Sequence, residues 1–405
     1  MHMKNIVKVR CFNSTVKDLI ILRIAFFTDT FYPQINGVSN TLMVLSQYLT
    51  RTGIEHKFFA PDYESGEPEA SGVPVVRFKG FSPHIYPDAR LSFPPYSKIL
   101  EQLSDFRPDV VHIVTELGIG WSGLRAARAL NIPIIMSYHT SFDKYLQFYH
   151  MQYLSKALRA YMRWFHSFAL VNLAPSRSTM QDLTRHGIPN LALWPRGIDL
   201  ERFHPGHFSP KLRAEMGVTE EVVFLYVGRI AAEKGLRTLS DSIAQVNQRY
   251  GNRVKWIFTG EGPYLPELIA RKIPNAIFTG TRRGDELAAI YASADVFVFP
   301  SGTETFGNVL LEAMASGLPV ICTDSGGVTD FTENHQNALV YKCGSVPELT
   351  RAIIKMLHPQ NRKVLGAKAL ETAKSRSWDA VLERLMLHYH YAAHPEIYSG
   401  RKIIG

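Results

Sequence analysis

The sequence predicts an α/β fold made of two Rossmann-like domains, each a doubly wound parallel sheet. Three observations predict it. Short apolar runs alternate with helical patterns along the chain, each run ends in a loop rich in Gly, Pro or charge, and 405 residues are too many for one ordinary core. Strand-helix alternation calls for parallel pairing with helices on both faces, and ligands then sit at the carboxyl ends of the strands. A chain of this length suits two domains of about 180 residues each. Hydrophobic residues at 46% and charged residues at 20% exclude a disordered chain.

Residues 1–21 show no periodicity and read as an N-terminal extension. The run Leu22–Phe27 is the first strand. Arg23 interrupts it and Asp29 closes it, so it is not a signal peptide, and no uninterrupted apolar run approaches the roughly 18 residues a membrane span needs. Gly37 follows at a helix start, where the missing Cβ lets backbone approach a ligand, although a lone glycine there also makes a plain turn. Further strands are expected at 57–60, 73–78, 110–114, 132–137, 169–174 and 191–194. His139 stands at the end of the 132–137 strand, a place for a ligand contact or for a structural hydrogen bond. Asp143 and Tyr145, just beyond, can equally cap the next helix.

Residues 205–221, rich in Pro, Gly and charge, read as a linker, and the expected units are 22–200, 201–376 and a final segment 377–405 with a helix over about Trp378–Tyr391. The second unit opens on the strand Val222–Val227, followed by Gly228, Arg229 and, five residues on, Lys234. An Arg and a Lys around a strand end can clamp two phosphates, one by a guanidinium fork and one as a point charge; solvated surface cations are the alternative. Strands at 254–259 and 276–278 lead into loops carrying Gly260 and Arg282.

The stretch Phe299–Pro319 carries the strongest signal. An alternating Val/Phe strand feeds a polar loop, then a helix starts near Gly307 and closes on Gly317 and Pro319. Val309, Leu310, Leu311, Ala313, Met314 and Ala315 make that helix apolar, so Asn308 and Glu312, four apart on one face, are polar groups in an element made for burial. The amides of Phe306, Gly307 and Asn308 are first-turn donors backed by the helix dipole, a site for phosphate or sugar oxygens, and Glu304 precedes them. A capped helix with one internally bonded carboxylate would look the same for a lone Glu; two glutamates flanking a strand-to-helix glycine favour a site.

Here a resemblance enters. E-T-F-G-N-V-L-L-E, from Glu304 to Glu312, resembles the two-glutamate signature of family-4 retaining glycosyltransferases, which have the GT-B fold of two Rossmann-like domains facing across a cleft. G-R-I-A-A-E-K-G at 228–235, the loop opening on His139 and G-I-D-L-E-R-F at 197–203 are similar to further motifs of that family, in its order, over nearly all of the chain after residue 20. The resemblance implies that 22–200 is the acceptor-side domain, 201–376 the nucleotide-sugar domain, and 377–405 a helix crossing back to the first. It implies that Arg229 and Lys234, beside Gly228, hold the diphosphate. Glu304 with Thr305, Phe306, Gly307 and Asn308 would hold the donor sugar, and Glu312 the ribose. His139 would point at the sugar across the cleft, Gly37 would approach the diphosphate and acceptor, Arg282 would lie by the nucleobase, and Gly260 and Arg196 would join the donor site.

The implied reaction is hexose transfer with retention by front-face attack, the departing phosphate taking the acceptor's proton. The motifs are most similar to those of GDP-mannose-dependent α-mannosyltransferases and of sulfoquinovosyl- and glucosyl-diacylglycerol synthases. GDP-mannose is therefore preferred to a UDP-sugar making a glycoglycerolipid, with a lipid or glycan acceptor. A non-catalytic sugar-nucleotide-binding protein is the alternative of another class. No Asp-x-Asp pair occurs, so no metal or other cofactor is expected and the leaving charge falls to Arg229, Lys234 and helix amides. His388, His390 and His394 include a pair four apart, but no acidic partner motif accompanies them and the position is expected to be exposed.

Cys11, Cys322 and Cys343 lack metal or redox spacing, so a reducing cytoplasm is the default. A net charge of +9 suggests an anionic partner, and nucleic acid is set aside because no aromatic-basic motif accompanies it. In 150–168, Gln152, Lys156, Arg159, Arg163 and His166 fall on one helical face and Met151, Leu154, Leu158, Tyr161, Met162 and Phe165 on the other. That helix either packs on the sheet with a solvated basic face or rests on anionic lipid at the inner face of the cell membrane.

Overall fold

The computed structural model describes residues 22–34, 36–63, 72–82, 90–139, 153 and 155–398. The first domain holds β1 (Arg23–Phe27), β2 (Glu55–Pro61), β3 (Val75–Phe78), β4 (Val110–Ile113), β5 (Ile134–Ser137), β6 (Val171–Ala174) and β7 (Leu191–Leu193), in the order β3-β2-β1-β4-β5-β6-β7. The second holds β8 (Val222–Val227), β9 (Val254–Thr259), β10 (Ala276–Gly280), β11 (Val296–Phe299), β12 (Val320–Thr323) and β13 (Ala338–Tyr341), in the order β10-β9-β8-β11-β12-β13. Every pairing between these strands is parallel.

Alternate residues of one strand feed separate cores, which is what doubly wound means physically. Ile24 and Phe26 of β1 enter one core, Ala25 and Phe27 another. In β11, Phe297 and Phe299 face one side and Val296 and Val298 the other. Strand order reverses between β1 and β4 and between β8 and β11, and at such points the adjoining loops diverge and leave a crevice for ligand.

The chain crosses between domains twice, side by side: Ile198 bridges Ser377, and its N–H donates to Arg376 O at 2.9 Å. After the second crossing, the helix Trp378–Ala393 buries Val381, Leu382, Leu385, Met386 and Tyr389 against Ile24, Phe26 and Phe58 of the first domain.

Four expectations change. The segment 205–221 is not a bare linker, because it folds a short helix, Pro210–Glu215, whose Arg213 donates to Asp295 at 3.0 Å and to Ser293 O at 2.9 Å. β12 and β13 add two strands the sequence reading left out. His388 is 9% exposed rather than on a solvated face, since it lies on the buried side of the returning helix. His166 likewise leaves the basic face of the helix Ser155–His166: it is 1% exposed, with Nδ1 at 2.7 Å from Asn172 Oδ1 and Nε2 at 3.3 Å from Glu116 Oε1. The extension 1–21, with Asp143, Tyr145, Met151, Gln152 and Leu154, lies outside the described residues. Among those described, no helix is long and apolar enough to cross a membrane, and no group of three or more His, Cys, Asp or Glu is placed to hold a metal ion.

Candidate active site

The loops after β8 and β11 meet at the second sheet's crevice. Gly228 and Gly260 are stacked so closely that a Cβ on Gly260 would lie 2.1 Å from Gly228 O, which only glycine avoids. Arg229 then turns to form an ion pair with Glu233 four residues on, while Tyr226 holds the loop by donating to Arg229 O at 2.8 Å. Lys234 Nζ reaches across to Glu304 Oε1 at 2.5 Å, and Ser301 Oγ donates to the same oxygen at 3.0 Å. Burial pushes the Glu304 carboxyl up, but the Lys234 ammonium, helped by Ser301 and Arg229, outweighs it and leaves the group below the usual carboxylate value. Two cations and two carboxylates thus neutralise one another at the crevice.

Gly307, at φ +96°, caps the helix Asn308–Ala315 without a side-chain hydrogen bond, so its first turn relies on other acceptors. A Cβ there would lie 2.6 Å from Val328 Cγ1. Phe306 is buried and packs on Phe331, and Gly327 N–H donates to Glu304 O at 2.8 Å, which fixes the loop. Asn308 Oδ1 is buried with no hydrogen-bond partner among the described residues, an acceptor that asks for a donor. Tyr291 OH donates to Glu312 Oε2 at 3.0 Å, and burial pushes the Glu312 carboxyl up to about 7 against that bond and the Arg202 charge.

The first domain closes over this loop. Thr305 Oγ1 donates to His139 O at 3.2 Å, Thr179 Oγ1 donates to Thr305 O at 3.3 Å, and a methyl placed on Gly37 would stand 3.5 Å from Asn308 Nδ2. Asp330 caps the first domain's helix Arg177–Arg185, accepting from Arg177 N–H at 2.5 Å and Ser178 N–H at 3.3 Å. Gly37, His139, Thr305 and Asn308 therefore come together where the two domains meet, and Glu304, beside Thr305, brings Lys234 there.

Two family models match consecutive parts of the chain: Glycosyltransferase Family 4 over residues 35–202 and Glycosyl transferases group 1 over 221–359. A GDP-mannose-dependent alpha-mannosyltransferase of Mycobacterium tuberculosis is 35% identical over 373 residues, covering 91% of this chain and 96% of that protein. The chain is a family-4 glycosyltransferase. The sulfoquinovosyl transferase SQD2 of Arabidopsis thaliana is 31% identical over 92% of the glycosyltransferase and 74% of its own length. The Anabaena protein HepE, solved with UDP and glucose, superposes at a TM-score of 0.74 with 20% identity over 91% of this chain and 99% of that one, a likeness of GT-B fold.

Three residues expected at the donor site of the glycosyltransferase have partners within the protein. His139 does sit at the end of β5, but both ring nitrogens are engaged inside the protein, Nε2 with Ser137 Oγ at 2.8 Å and Nδ1 with Arg196 Nη2 at 3.0 Å. It meets the second domain through its main-chain carbonyl. Arg196 stands behind the histidine at 4% exposure rather than in the cleft. Arg282 is exposed and pairs at 3.4 Å with Glu286 of the helix Gly284–Ala292.

Sequence reading missed Asp29, at the first sheet's crevice. It accepts from Thr115 Oγ1 at 2.6 Å and Ile119 N–H at 2.9 Å, serving as a remote cap for the helix Gly118–Ala129, and burial pushes its carboxyl up to about 6 against these bonds. Its closing of the first strand was the only available signal. Ser301 and Asp330 gave none, because their partners Glu304, Arg177 and Ser178 are assigned by packing between loops.

Proposed function

We propose that this glycosyltransferase moves a hexose from a nucleotide-diphosphate donor to a membrane-lipid or glycan acceptor with retention. The observation that carries the reading is the convergence of Lys234, Glu304 and the amide end of the helix Asn308–Ala315 in a cleft that His139 and Gly37 close from the other domain. Cleaving a sugar-phosphate bond builds negative charge on the leaving diphosphate and positive charge on the anomeric carbon. Lys234, Arg229 and the helix amides are preorganised for the former, each such contact contributing a few kcal/mol in a site of this kind. Glu304, already an acceptor for Lys234 and Ser301, orients the sugar rather than attacking it, which supports front-face attack with the departing phosphate taking the acceptor's proton. Glu312 and the unpartnered Asn308 Oδ1 supply acceptors for ribose and sugar hydroxyls.

GDP-mannose is the preferred donor, supported by the mycobacterial relative, whose similarity runs through both domains. A UDP-sugar making a glycoglycerolipid is the second reading, kept by the likeness to the sulfoquinovosyl transferase. The charge assignment requires no metal ion. Cytoplasmic placement against the membrane is supported by the helix Ser155–His166, where Lys156 and Arg163 are exposed, with Tyr153 and Trp164 at 77% and 46% exposure beside them. The deciding experiment is product formation from GDP-mannose, and separately from UDP-sugars, with lipid acceptors in excess EDTA. Product in chelator is expected. Activity lost with EDTA and restored by Mg²⁺ refutes the charge assignment, and donor binding without product with any acceptor favours the non-catalytic alternative.

A further inference from the structure

A line of polar side chains runs from the returning C-terminal helix to the cleft. Tyr389 OH lies 2.7 Å from His112 Nδ1, His112 Nε2 lies 2.9 Å from Ser137 Oγ, Ser137 Oγ lies 2.8 Å from His139 Nε2, and His139 Nδ1 lies 3.0 Å from Arg196 Nη2. Tyr389 and His112 are fully buried, and Ser137 is 1% exposed. Trp194 walls the line, edge-on to His139 and tilted on His112, both at 5.7 Å between ring centres, with the Arg196 guanidinium 4.5 Å over its ring.

The direction of the bonds at His139 follows from one group. A guanidinium only donates, so His139 Nδ1 is a lone pair and the ring proton is on Nε2. Ser137 Oγ accepts that proton. Beyond it, either Ser137 donates to His112 Nε2 and His112 Nδ1–H to Tyr389, or Tyr389 donates to His112 Nδ1 and His112 Nε2–H to Ser137; each polarity satisfies one of the two hydroxyl protons, and both keep His112 neutral and bonded to Ser137 Oγ. Arg196 has no carboxylate partner among the described residues: its other bonds go to Trp194 O at 2.7 Å and Pro195 O at 3.3 Å.

We propose that His112 and Tyr389 are positioning residues for the active-site histidine: with Ser137 and Arg196 they form a hydrogen-bonded chain that holds His139 neutral, as the Nε2–H tautomer, in a single orientation. The inference rests on the reading of the cleft given above. Its consequence for transfer is twofold. The His139 carbonyl stays aimed at Thr305, and no imidazolium stands beside a sugar that becomes positive in the transition state. The returning helix thereby serves the reaction as well as the first domain's core.

The test has a spectroscopic and a kinetic arm. In uniformly 15N-histidine-labelled protein near neutral pH, with resonances assigned through His112→Gln and His139→Gln, long-range 1H–15N correlations should show His139 protonated on Nε2 alone and His112 neutral. A reversed tautomer or an imidazolium at His139, or an imidazolium at His112, overturns the proposal whatever the activity. Kinetically, Tyr389→Phe keeps the ring that packs edge-on against Phe26 and deletes only the hydroxyl. It should lower kcat by about tenfold, below the hundredfold that an ångström of misplacement can cost, with donor KM within about twofold. Ser137→Ala should act likewise, and Tyr389→Phe should add nothing to it, since both break one chain. Independent, multiplying effects refute the coupling. If His139→Ala leaves turnover untouched while the spectra hold, the cleft reading has failed and the chain has not.

Discussion

Lys234→Ala tests the centre of the site most directly. In the intact protein the ammonium sits 2.5 Å from Glu304 Oε1, and the two side chains are 15% and 19% exposed. Removing one partner of a buried ion pair strands the other and costs about 3–5 kcal/mol, and the residual exposure places this pair near the lower value. For a domain of this size about 3 kcal/mol corresponds to a fall in Tm of roughly 6–12 °C. The pH dependence gives a sharper signature. Wild-type Glu304 is held below its unfolded value, so its contribution is present above that value and is lost as pH falls through the folded one. Without Lys234 burial dominates and raises the carboxyl, so the variant's contribution is lost as pH rises. The Tm deficit should therefore grow from pH 5 to pH 8, which differential scanning fluorimetry resolves. Turnover should drop about a hundredfold or more, the scale of losing a preorganised contact to the leaving group. Lys234→Ala/Glu304→Gln should regain part of the Tm and none of the turnover. A deficit equal at both pH values, or turnover close to wild type, refutes the placement of this pair.

Arg229→Ala should lower turnover by roughly a hundredfold while the protein still folds, measured by steady-state kinetics beside circular dichroism. Glu312, pushed up to about 7, contributes stability below the unfolded carboxylate value that is lost as pH rises through 7. Glu312→Gln should therefore raise Tm at pH 8, lose that gain at pH 5, and weaken donor binding in titration calorimetry; a Tm gain independent of pH contradicts the burial argument. Lys156→Glu/Arg159→Glu/Arg163→Glu should release the protein from anionic vesicles in sedimentation without changing donor affinity. Wild type that binds neutral and anionic vesicles equally, or neither, points to a soluble sugar acceptor.

Motifs read from the sequence locate the crevice residues because the chemistry there is local. Gly307, Asn308 and Glu312 share one strand-to-helix turn, and Gly228, Arg229 and Glu233 share another, so spacing alone brings them together. The amphipathic pattern of 155–166 was similarly legible except at His166, whose inward turn depends on Asn172 and Glu116 on other elements. β12 and β13 escaped because four-residue runs between loops carry little periodicity.

By itself the sequence determined the α/β class, the two-domain division and the strand-end loops where the proposed site lies, since hydrophobic period, glycine positions and short-range spacing are properties of neighbouring residues. Tertiary structure alone decided which charges meet and which way rings face. Lys234 finds Glu304 70 residues away, and His112 finds Tyr389 277 residues away. It also set Arg196 behind His139, with Nη2 3.0 Å from the ring's Nδ1. A guanidinium's role follows from the acceptors placed around it, and those acceptors are assigned only when distant strands, a crossover and a returning helix pack into one core.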